Sequence, residues 1–337
     1  MGVFDLIKRT PLSERHEEAV QKSVEKQRQK RRRRFRVLVS LKDEEGLYVV
    51  RLAARLANCD NCDIVLLYVR PIDRSGGIHI KIARQNMLEA GVELPGLRLL
   101  RQGLDVLKDE LGLPLEECQA KSSHTDAWGD PAGDNKVSFD CPDGREIVLK
   151  LKVSPDITSG ILDQYELGPY NLIIMGEPTR WKKSGLWVLF HHVVAERVMA
   201  LAPCSVMIAR DSLDRKGFFI CTDGSARSMN TVRRAGVLAY EAGEDITLFS
   251  VAPTPADEDK ARQAVEDAAE MLGKLDIPVK EKLTATGDPA QQIVERGSDY
   301  MVIVVSDEGR TRLQRILFGS TATEVARRAR TSVLDVR

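Results

Sequence analysis

The sequence predicts an α/β protein: two tandem open parallel five-stranded sheets with helices on both faces, the first copy carrying a β-hairpin insertion. Three observations predict it. Short apolar runs alternate with helical stretches of 12–16 residues, the pattern of parallel strands joined by right-handed crossovers. The chain repeats itself, since Asp63-Ile64-Val65-Leu66-Leu67-Tyr68-Val69-Arg70-Pro71 aligns with Asp245-Ile246-Thr247-Leu248-Phe249-Ser250-Val251-Ala252-Pro253, a step of 182. The fourth strands, residues 172–175 and 302–305, are only 130 apart, so the first copy holds 52 more residues between its second and fourth strands.

At 337 residues the chain has room for two cores of ordinary size. The division expected is a basic arm over 1–34, a first domain over 35–210 and a second over 217–337, with a six-residue linker between the domains. No apolar run approaches the roughly 18 residues that span a bilayer. The start, Met1-Gly2-Val3-Phe4-Asp5, reads as neither a secretory signal nor a myristoylation site. A cytoplasmic setting with six reduced cysteines is therefore expected.

The formal charge of zero conceals an asymmetry. Residues 1–36 hold twelve Lys/Arg against five Asp/Glu, which leaves −7 on the remainder. Two readings of the arm stay open: a solvated helical leader, or a segment that docks on nucleic acid, anionic lipid or an acidic protein face. The apolar Phe4, Leu6 and Ile7 lean toward a protein or membrane surface.

In the first copy, Val37-Leu38-Val39-Ser40-Leu41 reads as a strand and residues 49–57 as the helix after it. The insertion lies near 122–153. Residues 122–135, rich in Asp, Gly, Ser and Pro around Trp128, read as a loop. Residues 136–140 and 146–152 alternate about Pro142-Asp143-Gly144, a hairpin signal. A hairpin alone is marginal in water, so it must pack on its own domain or on a partner.

In the second copy, Phe218-Phe219-Ile220-Cys221-Thr222 is a strand, followed by Asp223-Gly224-Ser225 and a helix to about Ala242. Met301-Val302-Ile303-Val304-Val305 is a buried parallel strand, and residues 332–336 close the chain. Between them Ser306 stands three before Gly309, and nine residues separate Gly309 from Gly319-Ser320. This resembles the universal stress protein family, whose nucleotide-binding members carry Gly-x2-Gly-x9-Gly-(Ser/Thr) here. Ser306 replaces the first glycine. If that position needs a positive φ, the serine costs on the order of 1 kcal/mol. Asp307 and Glu308 beside it would repel a bare triphosphate unless Mg²⁺, Arg310 or Arg312 offsets them.

The resemblance implies an adenine-nucleotide site (ATP, ADP or AMP, with or without Mg²⁺) and pairing of the two domains through their last strands into a covalent pseudo-dimer. The residues that match the pattern also have suitable chemistry. Asp223 can accept from ribose hydroxyls or an adenine amine, with Gly224 and Ser225 beside it. Val251 can offer main-chain groups to a base edge. Gly309 and Gly319 let backbone approach phosphate, and Arg310, Ser320, Thr321 and a helix start make an anion site.

The first copy lacks this pattern: Lys42 stands at the Asp223 position and Pro178 interrupts the would-be phosphate loop. It reads as a scaffold or docking half, with Trp181 and Trp187 either packed or displayed beside Arg180, Lys182 and Lys183. Cys59-Asp60-Asn61-Cys62 has metal or redox spacing but no evident further ligands, so ordinary thiols are expected and no metal site. All five histidines precede residue 193, which leaves the ligand edge without an imidazole base.

Three functions remain open on sequence. One is a non-catalytic regulator with one adenine nucleotide in the second domain, at most a slow ATP hydrolase, and able to form a homodimer. The second is a nucleotide-free adapter acting through the arm and the insertion. The third is an ATP-dependent enzyme.

Overall fold

The computed structural model describes residues 34–58, 61–72, 95–127, 130–166, 169–177, 194–306 and 321–337. The basic arm through residue 33, Trp128, the Trp181/Trp187 segment with its basic neighbours, and the loop holding Gly309, Arg310, Gly319 and Ser320 lie outside them.

The first half runs β1 (Phe35–Leu41), α1 (Tyr48–Leu56), β2 (Cys62–Pro71) and α2 (Pro95–Leu111). It continues through β3 (Gln119–Ala127), β4 (Asp130–Asp140), β5 (Glu146–Ser154) and α3 (Ile157–Glu166), then β6 (Leu172–Gly176), α4 (Val194–Leu201) and β7 (Ser205–Ala209). The second half is β8 (Phe218–Cys221), α5 (Ala226–Glu241), β9 (Ile246–Ala252), α6 (Glu258–Gly273) and β10 (Glu281–Thr286). After these come α7 (Pro289–Arg296), β11 (Val302–Ser306), α8 (Thr321–Arg328) and β12 (Ser332–Val336).

Strands such as Val302-Ile303-Val304-Val305 are apolar at every position because helices cover both faces of the sheet. Alternate side chains divide between two cores. Val37, Val39, Ile64 and Leu66 pack with Val50 and Leu52 of α1, Leu99 and Leu107 of α2, Val232 of α5 and Val265 of α6. Leu38, Val65 and Leu67 pack on the other face with Ile161, Val198, Ile293 and Val325. Both cores run through both halves.

The register makes the internal repeat explicit. Val37 pairs with Ile64 on one side and Leu172 on the other, and Phe218 pairs with Ile246 and Val302 in the same way. β7 and β12 pair antiparallel and join the two sheets into one of twelve strands, order β10-β9-β8-β11-β12-β7-β6-β1-β2-β5-β4-β3. The two strands that meet, residues 205–209 and 332–336, are the last of each half, whose pairing the family resemblance implies. Arg210 fastens the seam. Its guanidinium donates to Thr331 O at 3.0 Å and Ala326 O at 2.6 Å, and pairs with Glu177 at 2.9 Å.

The insertion departs from expectation in extent. The turn at Pro142-Asp143-Gly144 does join β4 to β5, and β5 also pairs parallel with β2, so the hairpin packs on its own sheet. Residues 122–127 and 130–135, however, are not a loop: they belong to β3 and β4, paired antiparallel. Polar cross-strand contacts hold this pairing, Lys121 to Asp140 at 2.6 Å and His124 Nδ1 to Asn135 Oδ1 at 3.2 Å. Residues 119–125 are exposed or nearly so along the sheet's edge, so no hydrophobic alternation announces the strand.

The thiols also differ from expectation. Cys118 and Cys141 form a disulfide, because the β3–β4 register carries them side by side just beyond the Gln119–Asp140 pair, with Cα atoms 4.2 Å apart. Cys62 is disulfide-bonded as well, and Cys59 lies outside the described residues. Cys204 and Cys221 are free and buried. Among the described residues no helix is long and apolar enough to cross a membrane.

Candidate nucleotide site

In the second half, β8 lies between β9 and β11, and the chain leaves these strands toward opposite faces. This is the switch point at which open parallel sheets leave a crevice outside their carboxyl ends. A cavity of about 320 Å³ opens there. That is the lower end of the range for small-molecule sites. Its floor is Cys221, Phe249 and Val305, its rim Thr222, Asp223 and Ser306, and its far wall Thr321 and Ala322 at the start of α8.

Local chemistry positions the rim. Gly224 adopts φ 77°, a conformation that favours glycine, and a Cβ there would sit 3.2 Å from that of Ala264. Ser225 then caps α5, its Oγ accepting the Ser228 amide at 3.2 Å. Asp223 Oδ1 accepts the Ser225 amide at 2.9 Å, which aims the carboxylate along the sheet edge. Burial alone would raise the Asp223 pKa, but hydrogen bonds from Ser225 and Ser228 outweigh it and hold the carboxyl below its ordinary value. The group is therefore an anion at neutral pH.

Val251 is placed by ladder geometry. The β8–β9 pairing ends at Cys221–Phe249, and Thr222 N–H donates to Phe249 O at 2.9 Å. Ala252 O instead accepts Gly287 N–H, on the β10 side. Because main-chain groups alternate along a strand, those of Val251 face the β8 side, just past the point where β8 has turned away. They point toward the cavity that Val251 lines.

Ser306 is the last residue of β11, paired with Val336, and lines the cavity. Among the described residues Asp276 is the one non-glycine with positive φ, so the strain considered for Ser306 does not arise. The cavity thus gathers Asp223, Val251, Ser306 and Thr321. Gly224 and Ser225 shape its rim without lining it. Gly309, Arg310, Gly319 and Ser320 lie outside the described residues.

Sequence reasoning missed part of the wall. Pro253, Asp257, Lys260 and Ala261 close it on one side, and Pro289 and Ile293 of α7 on the other. Gly287-Asp288-Pro289 leads into α7, with Asp288 capping the helix by accepting the Gln291 amide at 2.8 Å. The same Pro289 also faces the cavity. The available signal was topological: one segment follows β9, the neighbour of β8, and the other follows β10, the next strand beyond it.

Continuing the strand register sets Lys42 of the first half at the position that Asp223 holds in the second. The Tyr48 hydroxyl donates to Ala209 O at 3.2 Å and accepts the Glu177 amide at 3.3 Å, lying across the ends of β6 and β7.

Comparison with known proteins agrees with this architecture. A universal stress protein from Archaeoglobus fulgidus superimposes with a TM-score of 0.57 at 14% identity, over 90% of this chain and 96% of its own. A putative universal stress protein from Pseudomonas aeruginosa gives 0.55 at 16%, over 90% and 92%. These two are likenesses of fold. A shorter universal stress protein solved in complex with cAMP is 25% identical over 36% of this chain and 97% of its own, with a TM-score of 0.33. No curated protein matches by sequence. Residues 216–337, which carry every described residue of the cavity wall, match the model of the Universal stress protein family.

Proposed function

We propose that the chain is a tandem universal stress protein whose second domain binds one adenine nucleotide and serves as a regulator, not a catalyst. The observation that carries this reading is the cavity at the β8/β11 switch point, with ionised Asp223 on one rim and Thr321 at a helix start on the other. Asp223 holds the ribose, main-chain groups of Val251 meet the base edge, and the first turn of α8 takes the phosphates. ATP, ADP and AMP all suit this arrangement. The first domain binds none, because Lys42 stands where the second has Asp223, and the two domains act as a pseudo-dimer joined along β7 and β12.

Titration calorimetry of the full chain with ATP, ADP and AMP tests the reading. One site per chain that weakens at least tenfold in Asp223→Ala supports it, and a flat titration with all three nucleotides overturns it.

A further inference from the structure

Three ionisable side chains line the cavity among the described residues: Asp223, Asp257 and Lys260. Lys260 sits in the first turn of α6, where a cation gains nothing from its own helix. The amino end of a helix carries partial positive charge and favours anions. The carboxylates around it are engaged elsewhere. Asp257 accepts from Thr254 Oγ1 at 2.7 Å, Glu258 from Thr286 Oγ1 at 2.9 Å, and Asp259 pairs with Arg262 at 3.1 Å. Lys260 makes no ion pair with any described residue, although three acids directly precede it in sequence. Local stability therefore gives no reason for a lysine here, and its place on the cavity wall gives a chemical one.

Charge points the same way. Without Lys260 the charged side chains of the described wall would be two carboxylates, Asp223 and Asp257, and no cation, a poor host for an anion. We propose that Lys260 is a specificity residue that pairs with the ligand's phosphate, so that the cavity favours a nucleotide over its uncharged nucleoside. This rests on the nucleotide reading above and adds a residue, and a ligand preference, that the family's glycine pattern does not contain. It also places cationic help on the α6 side of the crevice, opposite Thr321, so that a bound phosphate is held from two walls.

The test compares adenosine with AMP, by calorimetry on the full chain, for the wild type, Lys260→Met and Lys260→Arg. Lys260→Met is expected to weaken AMP by roughly ten- to a hundredfold, the loss of one charge-assisted contact, and to leave adenosine unchanged. Lys260→Arg should restore most of the AMP affinity. In the wild type, raising the salt concentration should narrow the gap between AMP and adenosine. The proposal is overturned if AMP binds Lys260→Met normally, or if AMP and adenosine weaken together, which would indicate a merely structural role. A wild-type chain that binds neither compound would sink the nucleotide reading itself, and this inference with it.

Discussion

Tyr48 and Ala209 are joined by a hydrogen bond of 3.2 Å from phenol to carbonyl, spanning 161 residues of sequence to close the first half's strand ends. The Glu177 amide that donates to the same hydroxyl also reaches Ala209 O at 3.1 Å, so it keeps one acceptor if the hydroxyl is removed. Tyr48→Phe should therefore cost only about 1 kcal/mol, the worth of one net hydrogen bond. Urea unfolding of wild type and variant measures it. A loss above about 3 kcal/mol would mean that the hydroxyl supports more than these two contacts.

Asp223→Asn separates charge from shape. The amide oxygen can still accept from Ser225 N–H, so stability should change by less than about 1 kcal/mol, while nucleotide affinity falls roughly tenfold or more. Burial works to raise the carboxyl's folded pKa, and the hydrogen bonds from Ser225 and Ser228 overcome it and leave the value depressed. Its stabilising contribution is thus present above the unfolded value near 4 and is lost as pH falls through the folded value. Adenosine, which has no phosphate to titrate in this range, should accordingly bind the wild type as strongly at about pH 5 as at about pH 7. A drop between those two values would place the Asp223 pKa higher than its hydrogen bonds imply.

Strand positions and the repeat were legible because burial on both faces writes them as apolar runs, while the β7–β12 contact was implied by the family resemblance and not by the residues themselves. Half of the cavity was legible because Asp223-Gly224-Ser225 and Thr321 carry polar chemistry at strand and helix ends. Pro253, Lys260 and Ile293 were not, since a lysine in a charged helix turn and an isoleucine in an apolar stripe look like solvated face and core. β3 escaped notice for the opposite reason: an edge strand that buries almost nothing needs no apolar residues, and Lys121 and His124 read as loop. The Cys118–Cys141 disulfide depends on the register of that strand and was hidden with it.

Cys204 offers a test at alkaline pH. Burial pushes its thiol up to about 11, with Arg337 and Arg234 opposing the shift more weakly. A raised folded value gives stability that is fully present below the unfolded pKa near 9 and is lost as pH rises from there through about 11. The size is on the order of 2 kcal/mol. Unfolding free energy measured at about pH 8 and about pH 11 should fall further in the wild type than in Cys204→Ala by about that amount. Equal falls would show that the thiol does not report its burial.

The Cys118–Cys141 bond should matter more to stability than its place on an edge suggests. It closes a loop across 23 residues and ties down a strand that has little core of its own. Restricting the unfolded chain over such a loop is worth about 3 kcal/mol in the chain-entropy account. Cys118→Ala with Cys141→Ala should lower unfolding stability by roughly that amount and speed amide exchange in β3 before other strands. Unchanged exchange in residues 119–127 would show that the backbone ladder alone holds the edge.

Arg210 is where both halves depend on a single side chain. Its guanidinium is 6% exposed, and it satisfies two carbonyls of the second half while pairing with a Glu177 that is itself largely buried. Arg210→Met leaves the Glu177 carboxylate without its cation and strands the carbonyls of Ala326 and Thr331. Breaking a buried pair from one side costs about 3–5 kcal/mol, and the partial exposure of Glu177 places the expected loss near the lower figure. Arg210→Lys should recover only part of it, because one ammonium on a flexible stem cannot meet three acceptors that the planar fork reaches at once. Urea unfolding should give the order wild type, Lys, Met, and hydrogen exchange should show β12 losing protection with Arg210→Met. If that variant unfolds like the wild type, the antiparallel β7–β12 ladder and the apolar packing behind it hold the two halves together without help from this charge.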